Sequence, residues 1–271
     1  MRETIGIVGS IMAAFCVGVA SPSVAQSIHD ILDNTRIERP LSHGAAYQFH
    51  MVRGHTRRGE LAQRFEIRHG DCGRTQEGWD DCANDRGRVE RKEWPKNVFS
   101  EAGEGVWYGY SIYIPANFVS LGRANTHLSQ VKVVGEAMPI WQLTFNDNPY
   151  VLYSDNRSCS IGSLAMWRGR WNDVTVYAHY GEGGEDVYFQ LYRNGVLLCE
   201  RNQPLMHPSM WGRSQRIGFK YGIYNSFVSR YLASHDRLPT HVIFYDEMLA
   251  GSRREYVDVR MREQRGLPPV D

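Results

Sequence analysis

Hydrophobic and polar residues alternate along much of this chain, and the sharpest alternation lies between Arg216 and Asn225. Ile217, Phe219, Tyr221 and Ile223 share one face of the predicted strand and belong in a core, while Arg216, Gly218, Lys220, Gly222 and Tyr224 share the other. A glycine inside a strand packs nothing, so it marks a place where a ligand or another backbone comes close. A cation and a phenol separated by glycines fit the floor of a binding groove, and a plain solvated strand face is the alternative. Further strands are predicted over Trp107 to Ile114, Leu128 to Val134, Ile140 to Phe145, Val174 to Tyr180, Val187 to Arg193, Val196 to Cys199 and His241 to Tyr245. Turn residues separate them, and Asn194-Gly195 is a tight hairpin signal. Helical periodicity is confined to two short stretches, Ser27 to Asn34 and Ser226 to Ser234. The profile is that of an all-β sandwich.

The faces of these strands are consistent. Trp141, Leu143 and Phe145 oppose Gln142 and Thr144, and Val174, Val176 and Ala178 oppose Thr175, Tyr177 and His179. Tyr188, Gln190 and Tyr192 share a face of the next strand. Several strands therefore offer a polar, aromatic side that is expected to line one curved sheet. Rings and polar tips suit sugars, whose C–H faces stack while hydroxyls find hydrogen bonds. Ordinary half-buried strand tyrosines are the alternative reading for each residue alone.

The chain has 271 residues. The apolar run from Ile5 to Ala20, with Arg2 before it and Ser23-Val24-Ala25 after it, reads as a secretory signal cleaved near Ala25. The run is short for a membrane span, and no later stretch is long and apolar enough for one. Residues 26–271 then form a single domain, since no Pro/Gly/Ser-rich linker divides them. The expected location is secreted or periplasmic, with no membrane association after cleavage. Five cysteines are present, and Cys16 leaves with the signal. An even number in an exported chain points to two disulfides, Cys72 with Cys82 and Cys159 with Cys199. A zinc site is the rival reading, and the spacings do not resemble a ribbon or finger. The net charge of +1 singles out neither nucleic acid nor an anionic membrane as partner, and the protein is expected to be a monomer.

Three segments carry candidate chemistry. In Arg88-Val89-Glu90-Arg91-Lys92, strand geometry puts Arg88, Glu90 and Lys92 on one face. In Gln130-Val131-Lys132, Gln130 and Lys132 share a face, and Phe219 to Asn225 forms the third segment. Together they resemble the jelly-roll polysaccharide lyases: alginate lyases, glucuronan lyases and the heparinase I group. Alginate lyases of this fold carry an R-x-E-L-R strand, a Q-I-H or Q-V-H strand and a late Y-F-K-A-G-x-Y-N-Q strand. The late motif matches here at Phe219, Lys220, Gly222, Tyr224 and Asn225, the first matches in part, and Lys132 stands where the second has histidine. The resemblance spans roughly Ala45 to Gly251.

The resemblance implies a concanavalin-like jelly-roll β-sandwich of two antiparallel sheets that cleaves a uronic-acid-containing, acidic polysaccharide by β-elimination. That reaction removes the proton beside the uronate carboxylate, and cations and amide donors at the carboxylate bind the charge that develops. Arg88, Gln130 and Lys132 suit that task. Tyr224 matches the family's catalytic tyrosine and serves both proton transfers if nearby cations lower its pKa. Lys220, roughly 13 Å from Tyr224 along a strand at ~3.3 Å per residue, holds substrate or a neighbouring carboxylate. His179 is a candidate for the missing imidazole. His127 is in opposite phase to Gln130 and faces the core unless the strand bulges. Glu90, Gln142, Tyr177, Tyr188 and Asn225 are the expected substrate contacts. Arg53, Arg57, Arg58, Arg64 and Arg68 are candidates for guiding an acidic polymer. No cofactor is required for this chemistry, and calcium at Asp246 stays an option. A non-catalytic carbohydrate-binding jelly roll is the chief rival. A glycoside hydrolase is the weaker one, because no paired-carboxylate strand is present.

Overall fold

The computed structural model describes residues 26–27, 37–38, 45–74, 78–92, 100–210 and 216–270. The strands in chain order are β1 Gln26–Ser27, β2 Ile37–Glu38, β3 Phe49–Arg53, β4 Leu61–Ile67, β5 Arg86–Lys92, β6 Ser100–Glu101, β7 Gly105–Ile114 and β8 Asn125–Val133. They continue with β9 Pro139–Thr144, β10 Tyr150–Tyr153, β11 Ser158–Ser160, β12 Arg170–His179, β13 Phe189–Arg193, β14 Val196–Arg201, β15 Arg216–Ser226 and β16 His241–Gly251. Four short helices, α1 Leu164–Trp167, α2 Ser229–Leu232, α3 Arg254–Val257 and α4 Val259–Gln264, sit between or after them.

Two antiparallel sheets result. One runs β14-β13-β12-β7-β16-β4-β3 with β1 on β16, and the other runs β11-β10-β9-β8-β15-β5-β2 with β6 on β15. The predicted strands are all present, β8 and β12 starting three or four residues earlier than their apolar periodicity. The Asn194-Gly195 turn joins β13 to β14 with φ of 51° and 82°, the double positive-φ geometry that those two residues favour in a hairpin. Ser27 pairs in β1 instead of opening a helix, and residues 28–34 lie outside the described residues, as do residues 1–25, where a signal is expected. Ser226 ends β15, so the second predicted helix shortens to α2.

Inward side chains of both sheets interdigitate as two-fold alternation demands. Phe65, Tyr108, Tyr110, Trp141, Phe219, Tyr221 and Tyr245 are fully buried between the layers. Tyr108 stacks on Phe219 with ring centroids 4.9 Å apart. The buried phenols are all satisfied: Tyr108 meets the Tyr180 hydroxyl at 3.2 Å, Tyr110 meets Ser129 Oγ at 3.1 Å, and Tyr221 donates to Gln63 Oε1 at 2.8 Å. Both expected disulfides form, Cys72–Cys82 and Cys159–Cys199, with Cα separations of 5.1 and 6.0 Å. No helix among the described residues is long and apolar enough to cross a membrane.

The two sheets divide the expected groove residues. Arg88, Gln130, Gln142 and Tyr224 lie on the sheet centred on β8 and β15. Tyr177 and His179, on β12, and Tyr188, just before β13, belong to the other sheet. Strand alternation reports which face a residue takes but not which sheet its strand joins, so the single aromatic sheet expected from sequence does not exist.

Candidate active site

The outer face of β15 is shaped by a double irregularity. Tyr221 pairs with Ser129 of β8 and Tyr224 pairs with His127, so three steps on β15 oppose two on β8. On its other side β8 steps from Ser129 opposite Leu143 to His127 opposite Thr144, leaving Leu128 as an extra residue. These bulges reverse the phase of β8 before Ser129 and turn His127 onto the face that carries Gln130. Gly222 makes the bulge feasible. Its φ is +130°, and a Cβ there would sit 2.3 Å from Val89 O and 2.9 Å from Glu90 Cα. The glycine therefore marks the close approach of a neighbouring backbone. Tyr245 reaches across the core, and its hydroxyl donates to the carbonyls of Gly222, at 2.9 Å, and of Leu128. Burial keeps this phenol protonated by pushing its pKa well above the ordinary value.

The bulges bring His127 against Tyr224, with ring centroids 5.3 Å apart. His127 is buried, its Nδ1 lying 2.9 Å from Thr144 Oγ1 and its Nε2 3.1 Å from Ser226 Oγ. Burial first, then the positive charges of Arg86 and Arg88, lower its pKa to about 3, so the imidazole is neutral at pH 7. The Arg88 guanidinium lies 4.4 Å from the Tyr224 ring centroid, and the Tyr224 hydroxyl has no hydrogen-bond partner among the described residues. Burial raises the Tyr224 pKa and outweighs the opposing influence of Arg88 and Arg86, with Glu90 and Asp81 adding to the rise. The expectation of a cation-lowered tyrosine is thereby corrected: the cations are present, but desolvation wins.

Arg88 is itself compensated. It donates to both carboxylate oxygens of Asp81 at 2.7 and 2.8 Å, and its Nη1 lies 3.5 Å from Glu90 Oε2. Glu90 accepts from Gln130 Nε2 at 2.6 Å, and Gln142 Nε2 donates to Gln130 Oε1 at 3.4 Å. A continuous polar chain thus crosses β9, β8 and β5 beneath Tyr224. Asp81 was not anticipated, because it lies in a loop with no periodicity. The Cys72–Cys82 clip, one residue away, was the available signal.

Other expected residues fall elsewhere. Lys220 neighbours Gln130 and Lys92 on the same face, four residues from Tyr224. Lys132 pairs with Gly218, six residues beyond Tyr224 and about 20 Å along the strand. The imidazole beside Tyr224 comes from His127, and Lys132 does not occupy that place. Asn225 points inward, 2 % exposed, with its Oδ1 accepting from Thr126 Oγ1 at 2.8 Å, so it does not share the outer face with Tyr224. On the other sheet His179 Nε2 lies 3.6 Å from Glu185 Oε1, and Tyr177 packs against Trp107. Tyr188 is buried in the core with its hydroxyl accepting from Glu185 N–H.

The arginines expected to guide a polymer are engaged by the protein's own acids. Arg53 pairs with Glu60, Arg57 with Asp173 and Glu263, Arg58 with Glu247, and Arg64 and Arg68 with Glu66. Asp246 accepts the backbone N–H groups of Arg57, Arg58 and Glu247, which occupy the oxygens a calcium ion needs. No group of three His, Cys, Asp or Glu residues suited to a metal ion occurs among the described residues.

The sequence family described as polysaccharide lyase matches residues 28–249. The chain belongs to that family. This polysaccharide lyase shares its fold with an endo-β-1,4-glucuronan lyase from the fungus Trichoderma reesei, at 16% identity and a TM-score of 0.60 over 87% of this chain and 96% of that one. It is similar to the family 7 alginate lyase AlgAT5, at 14% identity and a TM-score of 0.53 over 83% of this chain and 98% of that one. It is also similar to the family 7 alginate lyase A1-II', at 13% identity and a TM-score of 0.50 over 78% of this chain and 85% of that one. Identities this low establish a common jelly-roll architecture. Nothing among curated protein sequences matches the lyase.

Proposed function

We propose that this lyase is exported and cleaves a uronate-containing polysaccharide by β-elimination, with Tyr224 as the group that moves the proton. The observation that carries the reading is the Tyr224 side chain on the outer face of β15, flanked by the Arg88 guanidinium at 4.4 Å and the neutral His127 ring at 5.3 Å. In the reaction the ionised Tyr224 oxygen takes the C5 proton of the uronate. The electron pair forms the C4–C5 double bond, the C4–O4 bond breaks, and the phenol returns the proton to O4. The second N–H groups of Gln130 and Gln142 are donors for the uronate carboxylate, whose charge increases as the proton leaves. His127 acts as a positioning residue, because both of its nitrogens are held by hydroxyls. Glucuronan and alginate are the first polymers to try, since the structural neighbours are described as lyases of these substrates. Incubating the mature chain with a panel of uronans and following the ultraviolet absorbance of the conjugated double bond tests the reading. A rise with one polymer identifies substrate class and reaction together. Binding without any rise refutes elimination and leaves the carbohydrate-binding rival.

A further inference from the structure

Beyond Tyr224, where β15 ends and β5 begins, lies a second cationic cluster that the polar chain under Arg88 does not reach. Arg86 opens β5, two residues before Arg88 on the same face, and its strand partner is Ser226, which contacts His127. Arg86 and Arg230 have no carboxylate partner among the described residues. Their guanidiniums donate to the backbone carbonyls of Asp85, at 3.1 Å, and of Arg123, at 3.4 Å. Both lie over one ring: Arg86 is 4.2 Å and Arg230 4.1 Å from the Phe227 centroid. The two like charges are therefore less than about 9 Å apart and repel one another, whereas Arg88 nearby is paired with two acids.

The segment that holds them is tied down. Asp85 and Phe227 both have positive φ, 60° and 57°, uncommon for residues with side chains and for a bulky phenylalanine in particular. Asp85 accepts from Ser229 N–H and Ser229 O–H, each at 2.7 Å, which pins the residue before Arg230 to the start of β5. Phe227 nonetheless stays 36 % exposed. A strained, anchored turn presenting an exposed ring beside two arginines that lack a carboxylate partner among the described residues is the kind of feature found at ligand clamps. The chemistry it fits is an anionic sugar: a carboxylate relieves the repulsion between the guanidiniums by charge-assisted hydrogen bonds, and the ring edge meets C–H groups.

We infer that Arg86, Phe227 and Arg230 form a carboxylate-binding subsite that grips a uronate residue of the polymer beside the Tyr224–His127 pair. This inference rests on the uronate reading above. Calorimetric titration of the full chain with β-1,4-oligoglucuronate, and with a neutral cello-oligosaccharide of equal length, tests it. Arg230→Ala is expected to weaken oligoglucuronate binding about tenfold, the loss of one charge-assisted hydrogen bond. Phe227→Ala should weaken it as well, and raising the salt concentration should erode parent binding more than binding by Arg230→Ala. Arg260→Ala removes the same charge from α4, against the outer face of the other sheet, and serves as the control with unchanged affinity. Equal affinities for parent and Arg230→Ala, absence of parent binding, or equal parent affinity for the neutral oligosaccharide would overturn the subsite. A parent that cleaves a uronan while Arg230→Ala binds normally defeats the subsite alone. Arg230-dependent binding with no unsaturated product defeats the elimination reading and leaves the subsite standing.

Discussion

Tyr245→Phe removes one oxygen atom from the centre of the core and tests how the site is built. The hydroxyl reaches the carbonyls of Gly222 and Leu128, the two residues at which β15 and β8 depart from regular pairing. One O–H proton serves them, so its removal leaves at least one buried acceptor short of a donor, at a cost of about 2 kcal/mol. In a domain of this size each kcal/mol moves the midpoint of thermal unfolding by roughly 2–4 °C, so a fall of about 6 °C is expected. The ring still fills its place, so the far-ultraviolet circular dichroism should not change. Because the bulges turn His127 toward Tyr224, the variant should also lose kcat about tenfold, with KM nearly constant, on the uronan identified as substrate. Tyr110→Phe is the comparison: its hydroxyl meets only the Ser129 side chain, which can rotate to another partner, so a smaller thermal shift and unchanged kcat are expected. A Tyr245→Phe protein with parental unfolding temperature and parental kcat would refute the claim that this hydroxyl holds the bulges in place.

Gly222→Ala should cost about 4 kcal/mol, combining backbone strain at φ +130° with a Cβ 2.3 Å from Val89 O; thermal unfolding more than about 8 °C below the parent's is the expected result. His127 and His241 are buried with pKa values of about 3 and about 4, below the ordinary value near 6.5. The unfolded chain therefore takes up protons that the folded chain refuses, and stability from these groups is lost as the pH falls from about 6.5 toward those values. Asp246 acts in the opposite sense: burial raises it to about 7, so its contribution is lost as the pH rises through that value. Unfolding temperatures of His241→Gln and Asp246→Asn across pH 4 to 8 should show a flattened acid side and a flattened neutral side respectively. The raised Tyr224 pKa makes the phenolate the scarce form, so kcat/KM on the substrate should climb from neutral into alkaline pH. A flat profile there counts against Tyr224 as the base.

Alternation alone made the sandwich legible, together with the face of β15 that holds Lys220 and Tyr224. Arg88, Glu90, Gln130 and Gln142 share the face that alternation assigns them, the first three on strands next to β15 and Gln142 on β9, one strand further out. His127 was not placed, since a period of two cannot count the extra residue at Leu128. The glycine at 222 was the visible trace of that irregularity, although it indicates the β5 backbone as readily as a ligand. Tyr177, His179 and Tyr188 were drawn into the wrong sheet because strand order is a long-range property. Composition could not reveal that most of the N-terminal arginines are neutralised by acids, some of them more than 100 residues away, such as Asp173 and Glu263 for Arg57.

The most direct measurement compares parent and Tyr224→Phe on the same uronan, following unsaturated product by absorbance and binding by calorimetry. The account predicts that the variant binds the polymer with parental affinity, unfolds within about 2 °C of the parent because a hydroxyl without a hydrogen-bond partner among the described residues contributes little, and forms no unsaturated product. Parental product formation by Tyr224→Phe would contradict it, because the proton would then be moved by another group.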